Sequence, residues 1–393
     1  MPISIANVVK LVCLFLIFQT NGLAQSDSIK HNYSIEYHVL CGKIVKNYVD
    51  FPKYDISLLT GINLVKQTRG EKLWHSYYNF PRAGLMLLYG YNGNNRVFGK
   101  SISLIPNITF DYKYRKVNAN ITVGLGLAYF NKPYNRISNP ENVVIGSKIT
   151  NSTYAAITFN REITKKIDIN AGLGILHFSN GHYKLPNVGM NVPFVNLGLI
   201  YAFKSKSTAK EFKKCTDYYK KWVANVRLSL GIHEFGYATK PTGGPKYPVY
   251  NAALYASKRL TYINTLQIGV MASYYTDYYD YIVDQQVYDS QEKLKSSCFT
   301  VFAGHEYLLG RLSFVTQFGI NVYHPFQLFF YEQNNDLSGI SNYLKVYNSN
   351  RLGVQYYLLN PLESKRFNIN VGLFIKAKFF SADFVEGTLG FSF

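Results

Sequence analysis

Past its N-terminus this chain has no run of roughly 18 apolar residues, which argues against a helical membrane protein. Tryptophan is almost missing, with 2 residues, whereas Tyr numbers 35 and Phe 27. Cysteine is scarce as well. Of its 4 residues, Cys13 falls in the apolar N-terminus, leaving Cys41, Cys215 and Cys298. An odd set at these spacings fits no metal motif and allows one disulfide at most, so neither metal nor cofactor is expected. Acidic residues are also few, 23 against 42 Lys and Arg, for a net charge of +19. The basic residues are scattered rather than gathered on one helix, which speaks against nucleic acid and fits an anionic lipid surface better.

Residues 1–24 read as a secretory leader. Lys10 precedes Leu11-Val12-Cys13-Leu14-Phe15-Leu16-Ile17-Phe18, and Gly22-Leu23-Ala24 supplies small residues for cleavage before Gln25. An exported chain rich in aromatic, alternating segments suits a membrane β-barrel, with aromatic girdles at the two interfaces.

Period-2 alternation supports that class. In 117–130, Val117, Ala119, Ile121, Val123, Leu125, Leu127 and Tyr129 oppose Asn118, Asn120, Thr122, Gly124, Gly126 and Ala128. One face is apolar and the other polar or tiny, as expected of a small barrel with its apolar side toward lipid. Strands are predicted at 34–45, 55–65, 83–91, 101–114 (with a bulge at Pro106-Asn107), 117–130, 150–163, 167–179 and 192–203. The basic stretch 205–222 lacks alternation and marks a boundary. Eight more strands follow, at 223–235, 248–260, 262–276, 296–308, 311–325, 349–359, 366–380 and 383–393. Two architectures remain open: two eight-stranded barrels, 25–204 and 223–393, or one barrel of fourteen to sixteen strands. Ile369-Asn370-Val371-Gly372-Leu373 echoes Ile169-Asn170-Ala171-Gly172-Leu173, which fits a duplication and equally fits chance among common strand residues.

The chemistry concentrates where one stripe turns polar. Ile167, Ile169, Ala171, Leu173 and Ile175 share a strand face, and continuing the count puts His177 and Ser179 on it. Side chains two apart on a strand leave it about 6.6 Å apart, near enough for an imidazole to lean toward a hydroxyl and take its proton. The return strand through 180–191 places Asn191 beside them, with Pro193, Val195, Leu197 and Leu199 continuing its stripe. Asn180, Asn187 and nearby backbone amides are candidate donors to an oxyanion. Spacing alone leaves a second reading open, in which Ser179-Asn180-Gly181 is a polar turn and His177 an interfacial residue.

His177-Phe178-Ser179-Asn180-Gly181, with Pro186-Asn187 and Gly189, resembles the signature of the PagL-type lipid A 3-O-deacylases, eight-stranded outer-membrane barrels. The likeness is greatest to the longer Bacteroidetes proteins of the acyloxyacyl hydrolase family. It takes in Asn131-Lys132-Pro133-Tyr134-Asn135, Ile145-Gly146-Ser147-Lys148-Ile149 and Gly198-Leu199-Ile200-Tyr201-Ala202-Phe203, and covers roughly 120–204; the ending Gly390-Phe391-Ser392-Phe393 resembles outer-membrane protein termini.

That resemblance implies Ser179 as nucleophile, His177 as general base and Asn187, with Asn180, at the oxyanion. The implied substrate is lipid A or lipopolysaccharide in the outer membrane, its phosphorylated headgroup meeting Lys184 or Lys148. The family pattern has a Glu fourteen residues after the His, where this chain has Asn191. Glu162, near a short turn, reads as lying at the opposite membrane face, and His182 as a loop residue. The rival functions are a non-enzymatic barrel (porin, adhesin or structural protein) and a secreted soluble β-sandwich.

Overall fold

The computed structural model describes residues 33–114, 117–203, 218–239, 243–333, 340–362, 367–379 and 381–393. The leader, Cys215 and most of the basic 205–222 segment lie outside them.

Barrel one comprises β1 (Tyr33–Gly42), β2 (Ser57–Gln67), β3 (Arg82–Tyr91), β4 (Lys100–Tyr114), β5 (Val117–Phe130), β6 (Ile149–Glu162), β7 (Ile167–Ser179) and β8 (Met190–Ala202). Barrel two comprises β9 (Trp222–Glu234), β10 (Lys246–Arg259), β11 (Asn264–Tyr275), β12 (Ser297–Leu309), β13 (Leu312–Tyr323), β14 (Asn348–Tyr357), β15 (Asn368–Lys378) and β16 (Ser381–Ser392). Each barrel closes on itself. β1 pairs with β8, Leu40 opposite Asn196, and β9 pairs with β16, Leu228 opposite Leu389. Closure satisfies the backbone of both edge strands within each half, which rules out the single-barrel alternative. The expected bulge at Pro106-Asn107 is also absent. The β4–β5 register runs Leu104↔Leu127 and resumes unshifted at Asn107↔Gly124, because a proline without an N–H removes a rung without adding a residue.

The outward stripes are as apolar as the alternation requires. Ile169, Leu173 and Ile175 on β7 and Val195, Leu197 and Leu199 on β8 are exposed, with Leu173 at 66% and Leu197 at 61%. Such a surface is stable only against hydrocarbon. The lumen is packed. Near the His177 end of barrel one, Leu40, Leu59, Met86, Phe130, Leu176, Phe178 and Phe194 form a dry core. Gly174 is part of it, since a Cβ there would collide with the Phe194 ring. Deeper in, the lumen turns polar. Arg82 pairs with Glu36 at 2.6 Å and with Asp111 at 2.9 Å, and Asn196 donates to Asn170. Barrel two encloses Arg227, fully buried beside the rings of Tyr255, Phe302 and Phe374, with Nη2 donating to Gln317.

Helices absent from the strand pattern fill the connections. α1 (Leu73–Tyr77) lies at the end away from His177. At the other end, α2 (Thr276–Asp284), α3 (Glu292–Lys295), α4 (Pro325–Gln333) and α5 (Ile340–Tyr347) occupy connections of barrel two. Tyr278 and Ile282, one helical turn apart, are buried there with Phe326. The barrels stand side by side and touch at both ends: Tyr77 stacks on Tyr262 at 4.5 Å between centroids, and Gly181 abuts Val385. Cys41 and Cys298 are both free. The Ile169 and Ile369 echo falls on β7 and β15, the seventh strand of each barrel.

Leu197→Arg places a cation amid the lipid-facing stripe, and refolding into bilayers under a urea titration should show a loss of about 2–4 kcal/mol.

Candidate active site at the rim of the first barrel

The outward stripe of β7 ends in His177 and Ser179, as the alternation predicts, and the β8 stripe begins in Asn191. His177 stands directly opposite Asn191 on β8 and Thr153 on β6, and Ser179 directly opposite Asn151. His177 Nδ1 lies 2.7 Å from Asn191 Oδ1. A carbonyl oxygen accepts, so Nδ1 carries the proton and Nε2 keeps its lone pair.

Ser179 is 8% exposed although its strand face is the lipid side, because the 180–189 loop folds over it. Its Oγ accepts from Asn187 Nδ2 at 2.9 Å and from the Gly181 N–H at 3.1 Å. Gly181 (φ +65°) turns the chain so that this amide points back at the hydroxyl. No hydrogen bond joins His177 to Ser179; both side chains border Gly189. A Cβ there would lie 3.4 Å from His177 Cε1 and 3.8 Å from Ser179 Cβ. The absence of a side chain keeps that space open.

The remaining expected residues divide by role. The Asn180 side chain does not reach Ser179. Its Nδ2 donates to Lys184 O at 2.7 Å and Ser147 Oγ at 3.2 Å, while its backbone N–H donates to Asn187 Oδ1 at 3.1 Å, aiming the Asn187 amide. Lys148 and Lys184 are exposed at this rim. Glu162 is opposite Asp168, at the far end of β7, so it is not part of the cluster. His182 turns toward barrel two, its ring 6.3 Å from that of His233. Burial first, and the neighbouring His233 second, depress its pKa to about 4, which keeps it neutral near pH 7.

Sequence reasoning passed over several residues here. Thr153 Oγ1 donates to Asn151 Oδ1 at 2.8 Å, and Asn151 Nδ2 reaches Gly126 O at 3.3 Å. Both are polar positions on the outward side of β6, ahead of Ala155, Ile157 and Phe159, so the break in that stripe was a readable signal. The loop's anchors were not. Asn47 Nδ2 donates to Val188 O at 3.0 Å, and the N–H groups of Val188 and Gly189 donate to Val143 O and Val144 O. No cluster of His, Cys, Asp and Glu suited to a metal occurs among the described residues.

The fold thus defines a tandem membrane β-barrel with a serine, an imidazole and amide donors gathered at one rim. Residues 60–199 match the family described as Lipid A 3-O-deacylase (PagL), and residues 222–393 match Acyloxyacyl hydrolase, C-terminal domain. Between them the two matches take in most of both barrels, and the chain belongs to this family.

Among solved structures it is similar to the outer membrane enzyme PagL, at 15% identity over 42% of this chain and 97% of that one, with a TM-score of 0.31. CdiB from Acinetobacter baumannii matches at 9% identity over 92% of this chain and 60% of that one, TM-score 0.18. BamA from Haemophilus ducreyi lacking POTRA domains 1-3 matches at 11% identity over 99% and 79%, TM-score 0.22. With scores this low, the fold rests on the strand pairing and the family on the two sequence matches. No curated protein matches the chain.

Asn191→Leu removes the acceptor that fixes the His177 tautomer. Nitrogen NMR of labelled protein should then show the imidazole proton shared between Nδ1 and Nε2, where the parent shows Nδ1–H alone.

Proposed function

We propose that this protein is an outer-membrane serine esterase that removes an ester-linked acyl chain from lipid A or lipopolysaccharide. The observation that carries this reading is the pair of donors on Ser179 Oγ beside an imidazole whose other nitrogen is already engaged. Ser179 is the nucleophile. As Oγ attacks the ester carbonyl, His177 Nε2 takes its proton, and the carbonyl oxygen becomes an oxyanion. Asn187 Nδ2 and the Gly181 N–H, freed from the hydroxyl as it becomes part of the ester, are placed to receive that charge. Collapse expels the sugar oxygen, which regains a proton from His177. A water then repeats the sequence on the acyl-enzyme and releases the fatty acid. Asn191 orients the imidazole throughout, and Asn180 supports Asn187.

The site's address explains the choice of substrate. A serine on the outward face of a barrel meets an amphiphile that stays in its leaflet, with acyl carbons along Ile175, Leu173 and Leu197. The headgroup then lies at the rim, where Lys148 and Lys184 are exposed to meet its phosphates. This orientation puts the His177 end at the cell exterior.

Incubation with lipopolysaccharide should release 3-hydroxy fatty acid from the parent protein and none from Ser179→Ala; equal release, or none from either, leaves a passive barrel. Asn187→Ala, which removes one oxyanion donor, should lower kcat by about 10²–10³-fold. Lys148→Ala and Lys184→Ala should each raise KM about fivefold with kcat kept, in keeping with roughly 1 kcal/mol per surface cation near a charged lipid.

A further inference from the structure

The loop that carries Asn187 is held from outside its own barrel. Leu185 N–H donates to the Glu234 carboxylate at 3.1 Å, Glu234 N–H donates to His182 O at 3.2 Å, and Asn187 N–H donates to Ala238 O at 2.9 Å. All three bonds run between the 180–189 loop and the end of β9 with the connection that follows it. Glu234 is the last residue of β9, 1% exposed, and ion-paired to Lys246, whose ammonium lies 5.6 Å over the Tyr183 ring. Val385, on the outer side of β16, closes against Gly181, two residues beyond Ser179.

The loop cannot hold this shape by itself. Gly181, His182 and Gly189 all have positive φ, and for His182 (φ +72°) that conformation is intrinsically unfavourable and persists only where surroundings impose it. From barrel one the loop is tied near its two ends, at Asn180 and Lys184 through Ser147 and the 142–146 segment, and at Val188 and Gly189 through Asn47, Val143 and Val144. Within 182–187, Tyr183 N–H and Lys184 O bond to Asn180, while His182 O, Leu185 N–H and Asn187 N–H bond to barrel two. That stretch sets how far Asn187 Nδ2 stands from Ser179, and misplacing such a donor by about 1 Å is enough to forfeit about a hundredfold in rate.

We infer that the C-terminal barrel completes the active site of the N-terminal one, with Glu234 as a positioning residue that holds 182–187 so that Asn187 reaches Ser179. This gives the second barrel a task although it carries Ala377 and Phe379 where the first has His177 and Ser179. It rests on the esterase reading above for its catalytic consequence but not for its geometry.

The test uses the full chain with Glu234→Ala and Glu234→Gln, each checked for barrel folding by heat-dependent electrophoretic mobility. On lipopolysaccharide, Glu234→Ala should lose about tenfold or more in kcat with KM within about twofold, the mark of a misplaced transition-state donor rather than of weaker binding. Glu234→Gln retains an oxygen for Leu185 N–H and should recover most of the rate. Amide hydrogen exchange across 182–188 should rise about tenfold in Glu234→Ala with the strands unchanged, in the parent and equally in a Ser179→Ala background where nothing turns over.

Unaltered kcat in an active parent, or unaltered exchange in this loop, overturns the inference. Should the parent release no fatty acid, the esterase reading fails, and the exchange result alone upholds or rejects the clamp.

Discussion

A hydroxyl or imidazole set among lipid-facing side chains has little water to fall back on, and each unpaired polar group there costs about 1–3 kcal/mol or more. That constraint shapes the rim of the first barrel. Ser179 Oγ has two donors, His177 Nδ1 has Asn191, and Asn151 and Thr153 satisfy each other and Gly126. The same pairing that makes the patch tolerable in a bilayer leaves one imidazole nitrogen and one hydroxyl proton uncommitted. In the proposed reaction those are the two groups that must exchange a proton.

The amide at Asn191 belongs to the same balance. A carboxylate there would stabilise an imidazolium more strongly, but it would have to be kept charged beside hydrocarbon, where an ionised group is far more expensive than an amide. Asn191 orients the ring without that burden. It leaves the imidazolium formed during the proposed reaction to be supported by the oxyanion across from it and by the geometry alone.

The described side chains fill both lumens. Phe130, Phe178 and Phe194 close one end of barrel one, and the Arg82, Glu36 and Asp111 ion pairs lie deeper. In barrel two, Glu386 holds Arg351 as an ion pair and Asn251 at 3.0 Å, and Glu306 holds Gln355 and Tyr357. Packed, bonded interiors make stiff cylinders. Two stiff cylinders braced at both ends can fix a loop strung between them, as residues 182–187 are fixed.

Alternation alone determined the strands, their inward and outward faces and the emergence of His177, Ser179 and Asn191 on the outward side. A period of two is a local property, set by the pleat residue by residue, so it is readable without knowing any partner. Whether sixteen strands make one ring or two was decided only by which edges pair, β1 with β8 and β9 with β16, a contact between residues more than 150 positions apart. The Gly181 amide on Ser179, the diversion of Asn180 to Lys184 and Ser147, and the Glu234 carboxylate under Leu185 were likewise beyond the sequence. Loop hydrogen bonds follow from where the chain is held in space, and spacing along the chain carries no record of that.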